Sequence, residues 1–131
     1  MREDITLKIK ELGLSNSVIF VGSIPNVYDY LQAMDAMLFP SLYEGFGTVA
    51  LESQCCGIPI LASDVLPGNT KITECLEFMS LKETPKRWAE KVFEMTGRIE
   101  RKDRSAEIRT AGYDINDTYK MLSEFYLSHA I

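Results

Sequence analysis

Two glutamates on either side of a glycine-containing turn are the residues of this chain best suited to chemistry. Glu44 and Glu52 have seven residues between them. The segment that we call the glycine loop comprises residues 44–48 and reads Glu-Gly-Phe-Gly-Thr. Because glycine has no Cβ, Gly45 and Gly47 allow the backbone to turn sharply and to approach another group closely. A carboxylate beside such a turn can hold a pair of adjacent sugar hydroxyls.

The elements around the glycine loop form a strand–turn–helix–strand unit. Residues 36–39 are a short apolar run that ends at a proline, which is typical of a buried strand. Residues 48–56 are predicted to form a helix, since Gly57 fits the position just past its end and Pro59 prevents its continuation. Residues 58–62 are the next buried strand. Glu52 would lie about one turn into the helix, with its side chain leaning toward the helix start.

This arrangement predicts a ligand site at the start of the helix. Unpaired backbone amides at a helix start attract phosphate or a sugar hydroxyl. Glu44, the loop amides and Glu52 would then face one crevice. Binding of a nucleotide-linked sugar is the chemistry that this combination suits.

The same residues carry a family resemblance. The glycine loop and Glu52, preceded by Phe-Pro-Ser and followed by Gly-Ile-Pro-Ile-Leu-Ala-Ser, resemble the E-x(7)-E segment of retaining glycosyltransferases of the GT-B type. The string is most similar to family 4, which builds bacterial polysaccharides and glycoconjugates, including capsule and exopolysaccharide. The resemblance extends upstream to Val-Ile-Phe-Val-Gly at residues 18–22 and covers nearly the whole chain.

The resemblance implies a role for each residue of the segment. Glu44 would be catalytic, orienting the donor sugar and stabilising charge at the reacting carbon. Glu52 would hold the ribose of a UDP- or GDP-linked sugar, which is a substrate, and no cofactor or metal is implied. The remaining donor-binding residues would be Gly45, Phe46, Gly47 and Thr48.

The resemblance also implies that this chain is only part of the family's length. Residues 1–131 would be a single, partial nucleotide-sugar-binding domain, the truncated C-terminal half of a GT-B fold, with a last helix over about 115–129. The acceptor domain, two sheet strands and an Arg and Lys pair that neutralises the diphosphate would lie in a preceding region. We therefore expect the chain alone to be inactive and to need an N-terminal domain or half-protein. Residues 18–21 are expected to form a strand. To cover the exposed sheet edge, this strand would pair directly with residues 36–39 or with another molecule, which could be a second copy of the chain in a homo-oligomer.

Alternating helices and strands predict the fold around this site. The pattern indicates an α/β fold, a Rossmann-like three-layer α/β/α sandwich with a mainly parallel sheet, which binds ligands beyond the carboxyl ends of its strands. Thr84 and Pro85 open a helix whose apolar stripe includes Trp88. Asp114 or Asn116 caps the last helix, whose aromatic side chains are expected in the core; they are Tyr119, Phe125 and Tyr126.

Composition excludes several other classes of protein. A net charge of −5 argues against nucleic-acid binding and against an anionic-membrane patch. No apolar run reaches the roughly 18 residues that span a bilayer. Three cysteines and one histidine, without metal-binding spacing, predict free thiols, no metal site and a cytoplasmic location, which in the full-length parent could include the inner-membrane surface.

Other functions stay open on the residues alone. The chain could be a non-catalytic fragment or an interaction module that completes a separately encoded N-terminal half. A signalling receiver domain would need clustered acids at strand ends, which Asp35 and Asp64 do not supply convincingly. A nucleotide-sugar epimerase of similar fold fits the Glu-Gly-Phe-Gly turn less well.

Overall fold

A small parallel sheet with helices on both faces forms the centre of the molecule. The structure is a computed structural model and describes residues 2–129. The elements along the chain are α1 (Arg2–Glu11), α2 (Val27–Ala33), β1 (Met37–Phe39), α3 (Thr48–Cys55), β2 (Ile60–Ser63), a 3₁₀ turn (Gly68–Thr70), β3 (Leu76–Met79), α4 (Pro85–Arg98), α5 (Ser105–Thr110) and α6 (Ile115–Ser128).

The sheet has the order β1-β2-β3, and both strand pairs are parallel. Residues of β2 are buried at every position, because β2 is the central strand and helices cover both of its faces. Ile60 and Ala62 face Ala50 of α3, whereas Leu61 faces Trp88 and Met95 of α4. The predicted α/β Rossmann-like sandwich is therefore confirmed.

The first turns of α4 and α6 have the capping residues that the sequence predicts. Thr84 caps α4 by accepting a hydrogen bond from the Arg87 amide, and Pro85 occupies the first turn. Asp114 caps α6 in the same way through the Asn116 amide, at 2.8 Å. The predicted starts of these two helices are confirmed.

The strand predicted over residues 18–21 is wrong. These residues have no strand conformation and are exposed, with Ile19 at 84%. Direct pairing with β1 is wrong for the same reason, since β2 is the one strand that pairs with β1 within residues 2–129. A segment of residues that favour strands forms a strand only where a neighbouring strand satisfies its backbone hydrogen-bonding groups. No described strand lies beside residues 18–21.

The predicted core position of the α6 aromatic residues is also wrong. Tyr119 is 70% exposed, Phe125 54% and Tyr126 68%. Trp88, by contrast, is buried, and its indole nitrogen donates to the Ser80 carbonyl at 3.3 Å. The apolar stripe of α6 correctly indicated a helix, but no described element covers that stripe.

Candidate functional site

The glycine loop lies at the carboxyl end of β1 and leads directly into α3. Gly47 is the N-cap of α3, with φ 75° and ψ 54°, a left-handed conformation that side chains disfavour. A Cβ added there would lie 3.1 Å from Leu66 Cδ2 and 3.4 Å from the Phe39 ring. Glycine at this position therefore lets the loop pack against the end of the sheet.

The side chain of Glu44 folds back along this loop. Its Oε1 accepts a hydrogen bond from the Gly45 amide at 3.1 Å. Its Cγ lies 3.5 Å from the position that a Cβ on Gly47 would take. The Glu44 carboxylate is exposed and stands beside the backbone that starts α3.

The first amides of α3 are available to a ligand. No side chain caps this helix, and the Thr48 and Val49 amides donate to no group in the part of the chain that the structure describes. Such amides carry the partial positive charge of a helix N-terminus. They could bind an anion or a hydroxyl next to the Glu44 carboxylate.

Glu52 lies on the exposed face of α3, one turn after Thr48. Both residues line a cavity of about 290 Å³, whose other walls include Tyr28, Ile108 and Tyr113. Glu44 is not among the residues that line this cavity. The structure thus places Glu52 and Thr48 at one cavity and Glu44 beside Gly47. The convergence of both carboxylates on one ligand stays a prediction.

Phe46 contacts two residues that lie far from it along the chain. Its ring lies 5.5 Å from the Tyr113 ring, centroid to centroid, at an interplanar angle of 32°. Its carbonyl accepts a hydrogen bond from Thr70 Oγ1 at 2.9 Å. The segment after β2 and the segment after α5 therefore both contact the glycine loop.

Sequence reasoning missed Gln54, which lies on the buried side of α3. Its side chain is 0% exposed and binds backbone groups of Ala50, Thr70, Ile72 and Thr73. A polar residue on the helix face that also carries buried Ala50 was the available signal, because a buried amide needs partners.

The cysteines have no sign of activation. All three are free, and Cys56 is buried, whereas Cys55 is only half-buried. Burial, followed by the charge of Asp103, raises the pKa of the Cys55 thiol above its ordinary value. Burial also raises the pKa of Cys56. Raised thiol pKa values lower the fraction of reactive thiolate.

Within residues 2–129, no group of three or more histidine, cysteine, aspartate or glutamate side chains is placed to hold a metal ion. Over the same residues, no helix combines the length and the apolar character needed to cross a bilayer.

A parallel α/β sheet with a glycine loop and a helix start at its carboxyl edge defines the class of Rossmann-like ligand-binding domains. Residues 1–108 match the family model described as glycosyl transferases group 1. The chain belongs to that family, as the resemblance in its sequence indicated.

Several curated proteins are similar to this chain. A capsular polysaccharide biosynthesis glycosyltransferase, CapH of Staphylococcus aureus, is 28% identical over 92% of the chain and 34% of its own length. A D-inositol 3-phosphate glycosyltransferase of Corynebacterium urealyticum is 30% identical over 91% of the chain and 30% of its own length. The lipopolysaccharide core biosynthesis mannosyltransferase LpsB of Rhizobium meliloti is 36% identical over 44% of the chain and 16% of its own length. The chain thus spans about a third or less of these relatives.

Proposed function

We propose that this chain is the donor-binding part of a retaining glycosyltransferase of the GT-B type. The reaction would transfer a sugar from a UDP- or GDP-linked donor to a hydroxyl of a polysaccharide or glycoconjugate acceptor. Membership of the glycosyl transferases group 1 family supports glycosyl transfer. The glycine loop, which joins a bare helix start to Glu44, is the observation on which the donor site rests.

Each part of the proposed site has a chemical task. The leaving nucleoside diphosphate develops negative charge, which the Thr48 and Val49 amides would help to stabilise. The Glu44 carboxylate would orient the donor sugar and stabilise positive charge at the reacting carbon. Glu52, beside the 290 Å³ cavity, would accept hydrogen bonds from the ribose hydroxyls.

Binding of nucleotides by the chain itself tests this proposal. Calorimetry with UDP, GDP and their sugars measures the affinity and identifies the base. Glu52→Ala should weaken binding of the preferred nucleotide by about 1–3 kcal/mol, because hydrogen bonds to a charged group are lost. Glu90→Ala is the matched control, since Glu90 is also an exposed helical glutamate but lies on α4. Equal affinities for the two variants would refute the role of Glu52.

We expect these 131 residues alone to be inactive in sugar transfer. The acceptor domain and the Arg and Lys pair implied by the resemblance would have to come from another segment. Transfer from a radiolabelled donor by the purified chain, at rates typical of enzymes, would contradict this expectation.

A second candidate function is that of an interaction module completed by a separately encoded N-terminal half. Within residues 2–129, β1 is an edge strand that pairs with β2 alone, and this edge favours such a module. Leu38 in β1 is 50% exposed, and it borders an apolar cavity of about 360 Å³ together with Pro40, Leu81 and Trp88. Parallel sheets are normally covered, so a partner strand or a second copy would fit here. Co-purification tests for binding of the N-terminal half, and light scattering tests for self-association. The two measurements together distinguish which partner covers the edge.

The proposed function also sets an expected location. We propose a cytoplasmic location for the complete protein, which could include the inner-membrane surface. The three free cysteines are compatible with a reducing compartment. Recovery of the complete protein in the periplasmic fraction would contradict this location.

A further inference from the structure

Gln54 joins α3 to the segment that follows β2. Its Oε1 accepts hydrogen bonds from the amides of Ile72, at 3.0 Å, and Thr73, at 2.9 Å, and from Thr73 Oγ1 at 3.2 Å. Its Nε2 donates to the carbonyls of Ala50, at 3.1 Å, and Thr70, at 2.9 Å. Both polar atoms of this buried side chain are thus satisfied, and the Thr70 backbone is fixed relative to α3.

Thr70 connects this anchored segment to the glycine loop. It is 0% exposed, and its Oγ1 donates to the Phe46 carbonyl at 2.9 Å. The Tyr113 ring also packs on the Phe46 ring, at 5.5 Å between centroids. Phe46 stands between the two glycines, so contacts at Phe46 restrict the part of the loop that has the greatest freedom of its own.

We propose that Thr70, anchored by Gln54, and Tyr113 are positioning residues that hold the glycine loop in a single conformation before any ligand binds. Neither residue needs to touch the ligand. Their effect is to keep the Glu44 carboxylate and the Thr48 and Val49 amides in a fixed relation, so that binding does not have to order a loop with two glycines. The nature of the ligand rests on the proposed function, whereas the fixed conformation of the loop does not.

Three variants of the chain test the role of Thr70. Thr70→Val keeps the shape and removes the hydroxyl, whereas Thr70→Ser retains the donor and is the rescue. Ser53→Ala is the matched control, because Ser53 is equally buried but its hydroxyl donates within α3, to Val49 O at 2.7 Å, rather than to a residue of the glycine loop. Urea denaturation of each variant records its stability separately.

The first measurement is the order of the loop backbone. ¹⁵N relaxation order parameters at Gly45, Phe46 and Gly47 should fall in Thr70→Val, stay unchanged in Ser53→Ala and return in Thr70→Ser. A general loss of stability would not produce that pattern. Order parameters that are already low in the wild-type loop, or that are the same in all variants, would overturn the inference.

Tyr113 gives a second comparison that does not depend on a buried site, since it is 37% exposed. Tyr113→Leu removes the ring and should lower the same order parameters. Tyr113→Phe keeps the ring and should not. Equal loop order in the two variants would overturn the part of the inference that concerns Tyr113.

The second measurement separates this inference from the proposed function. If UDP or GDP binds, Thr70→Val should weaken binding by about 2- to 10-fold, the range expected for one lost hydrogen bond, and Thr70→Ser should restore it. Unchanged affinity in a loosened loop would show that the loop order does not serve binding and would overturn the inference. If the wild-type chain binds neither nucleotide, the proposed function fails, and the relaxation data still decide whether Thr70 and Tyr113 position the loop.

Discussion

Replacing Gly57 by alanine should destabilise this protein more than the same change at any comparable helix end. Gly57 follows α3 with φ 68°, and a Cβ there would lie 1.9 Å from the Lys102 carbonyl oxygen and 2.8 Å from the Lys102 nitrogen. These are backbone atoms, and contacts on both sides of Lys102 hold them in place. The Arg101 guanidinium donates to the Met34 carbonyl at 2.7 Å, and the Arg104 amide donates to Cys55 O at 3.0 Å.

The expected loss has two parts. A side chain in the left-handed region costs about 1–2 kcal/mol. Forcing the backbone at Lys102 away should cost a further 1–3 kcal/mol, roughly the range for overpacking a filled interior. The free energy of unfolding should therefore fall by about 2–5 kcal/mol, a large part of the stability of a domain of this size.

Gly112→Ala is the matched control for this change. Gly112 ends α5 with φ 90°, and nothing lies within 4 Å of its added Cβ. Its amide donates to Arg109 O, and the next amide to Ile108 O, which is the same pattern that Gly57 and Ile58 make with α3. Gly112→Ala should therefore cost only the strain of about 1–2 kcal/mol.

Urea denaturation followed by tryptophan fluorescence measures both losses, because the chain has a single tryptophan, Trp88, which is buried. If Gly57→Ala and Gly112→Ala lose the same free energy, the close approach of Lys102 does not contribute, and the reasoning from backbone contact is refuted.

Three further changes have expected outcomes. Burial alone would raise the pKa of Glu77, but the hydrogen bond and charge of Lys91 hold that pKa below its ordinary 4.5. The pair therefore stabilises the fold above pH 4.5, and this stabilisation is lost as pH falls through the folded-state pKa. Glu77→Gln should remove about 0.5–1 kcal/mol at pH 7 and make urea denaturation less dependent on pH below 4.5; unchanged pH dependence would count against the pairing. Trp88→Ala should cost about 3–5 kcal/mol in thermal or urea unfolding, because it empties the contact between α4 and the sheet, and a loss under 1 kcal/mol would contradict its core position. Asp103→Asn should speed modification of Cys55 by a disulfide reagent at pH 8, because it removes the negative charge that helps to raise the thiol pKa. Mass spectrometry measures the rate, and an unchanged rate would exclude that charge effect.

Local signals in the sequence were sufficient where a few neighbouring residues decide the structure. The unit around α3 was predictable because Gly57 and Pro59 end the helix by their own backbone geometry. The start of α4 was equally clear, since the Thr84 side chain caps an amide only three residues away.

Longer-range partners account for the errors. Residues 18–21 have the composition of a strand, but pairing depends on a neighbour that the segment itself does not specify. The stripe of Tyr119 and Phe125 indicated a helix face without indicating what covers it. Gln54 was missed because most of its partners come 16 to 19 residues later, on a loop whose path the sequence pattern did not reveal.

The candidate site divides in the same way. The glycine loop and Glu52 were predicted as a site from the glycine turn, the helix start and the family resemblance of the surrounding string, and their roles stay a prediction. The residues that hold the loop, Thr70 and Tyr113, carry no such signal, because they lie far along the chain and contact Phe46 through one hydroxyl and one ring.

The exposed last helix has a practical consequence for work with this protein. No described residue of α6 is buried, and the Arg109–Asp114 ion pair at 2.7 Å is among the few contacts near its start. A helix with so little tertiary contact opens more readily than the sheet does, so proteases should cut α6 before they cut the sheet. Limited digestion should trim the molecule back to a resistant core that ends just after Tyr113, which packs on Phe46, and that trimmed form would be the natural starting point for crystallisation.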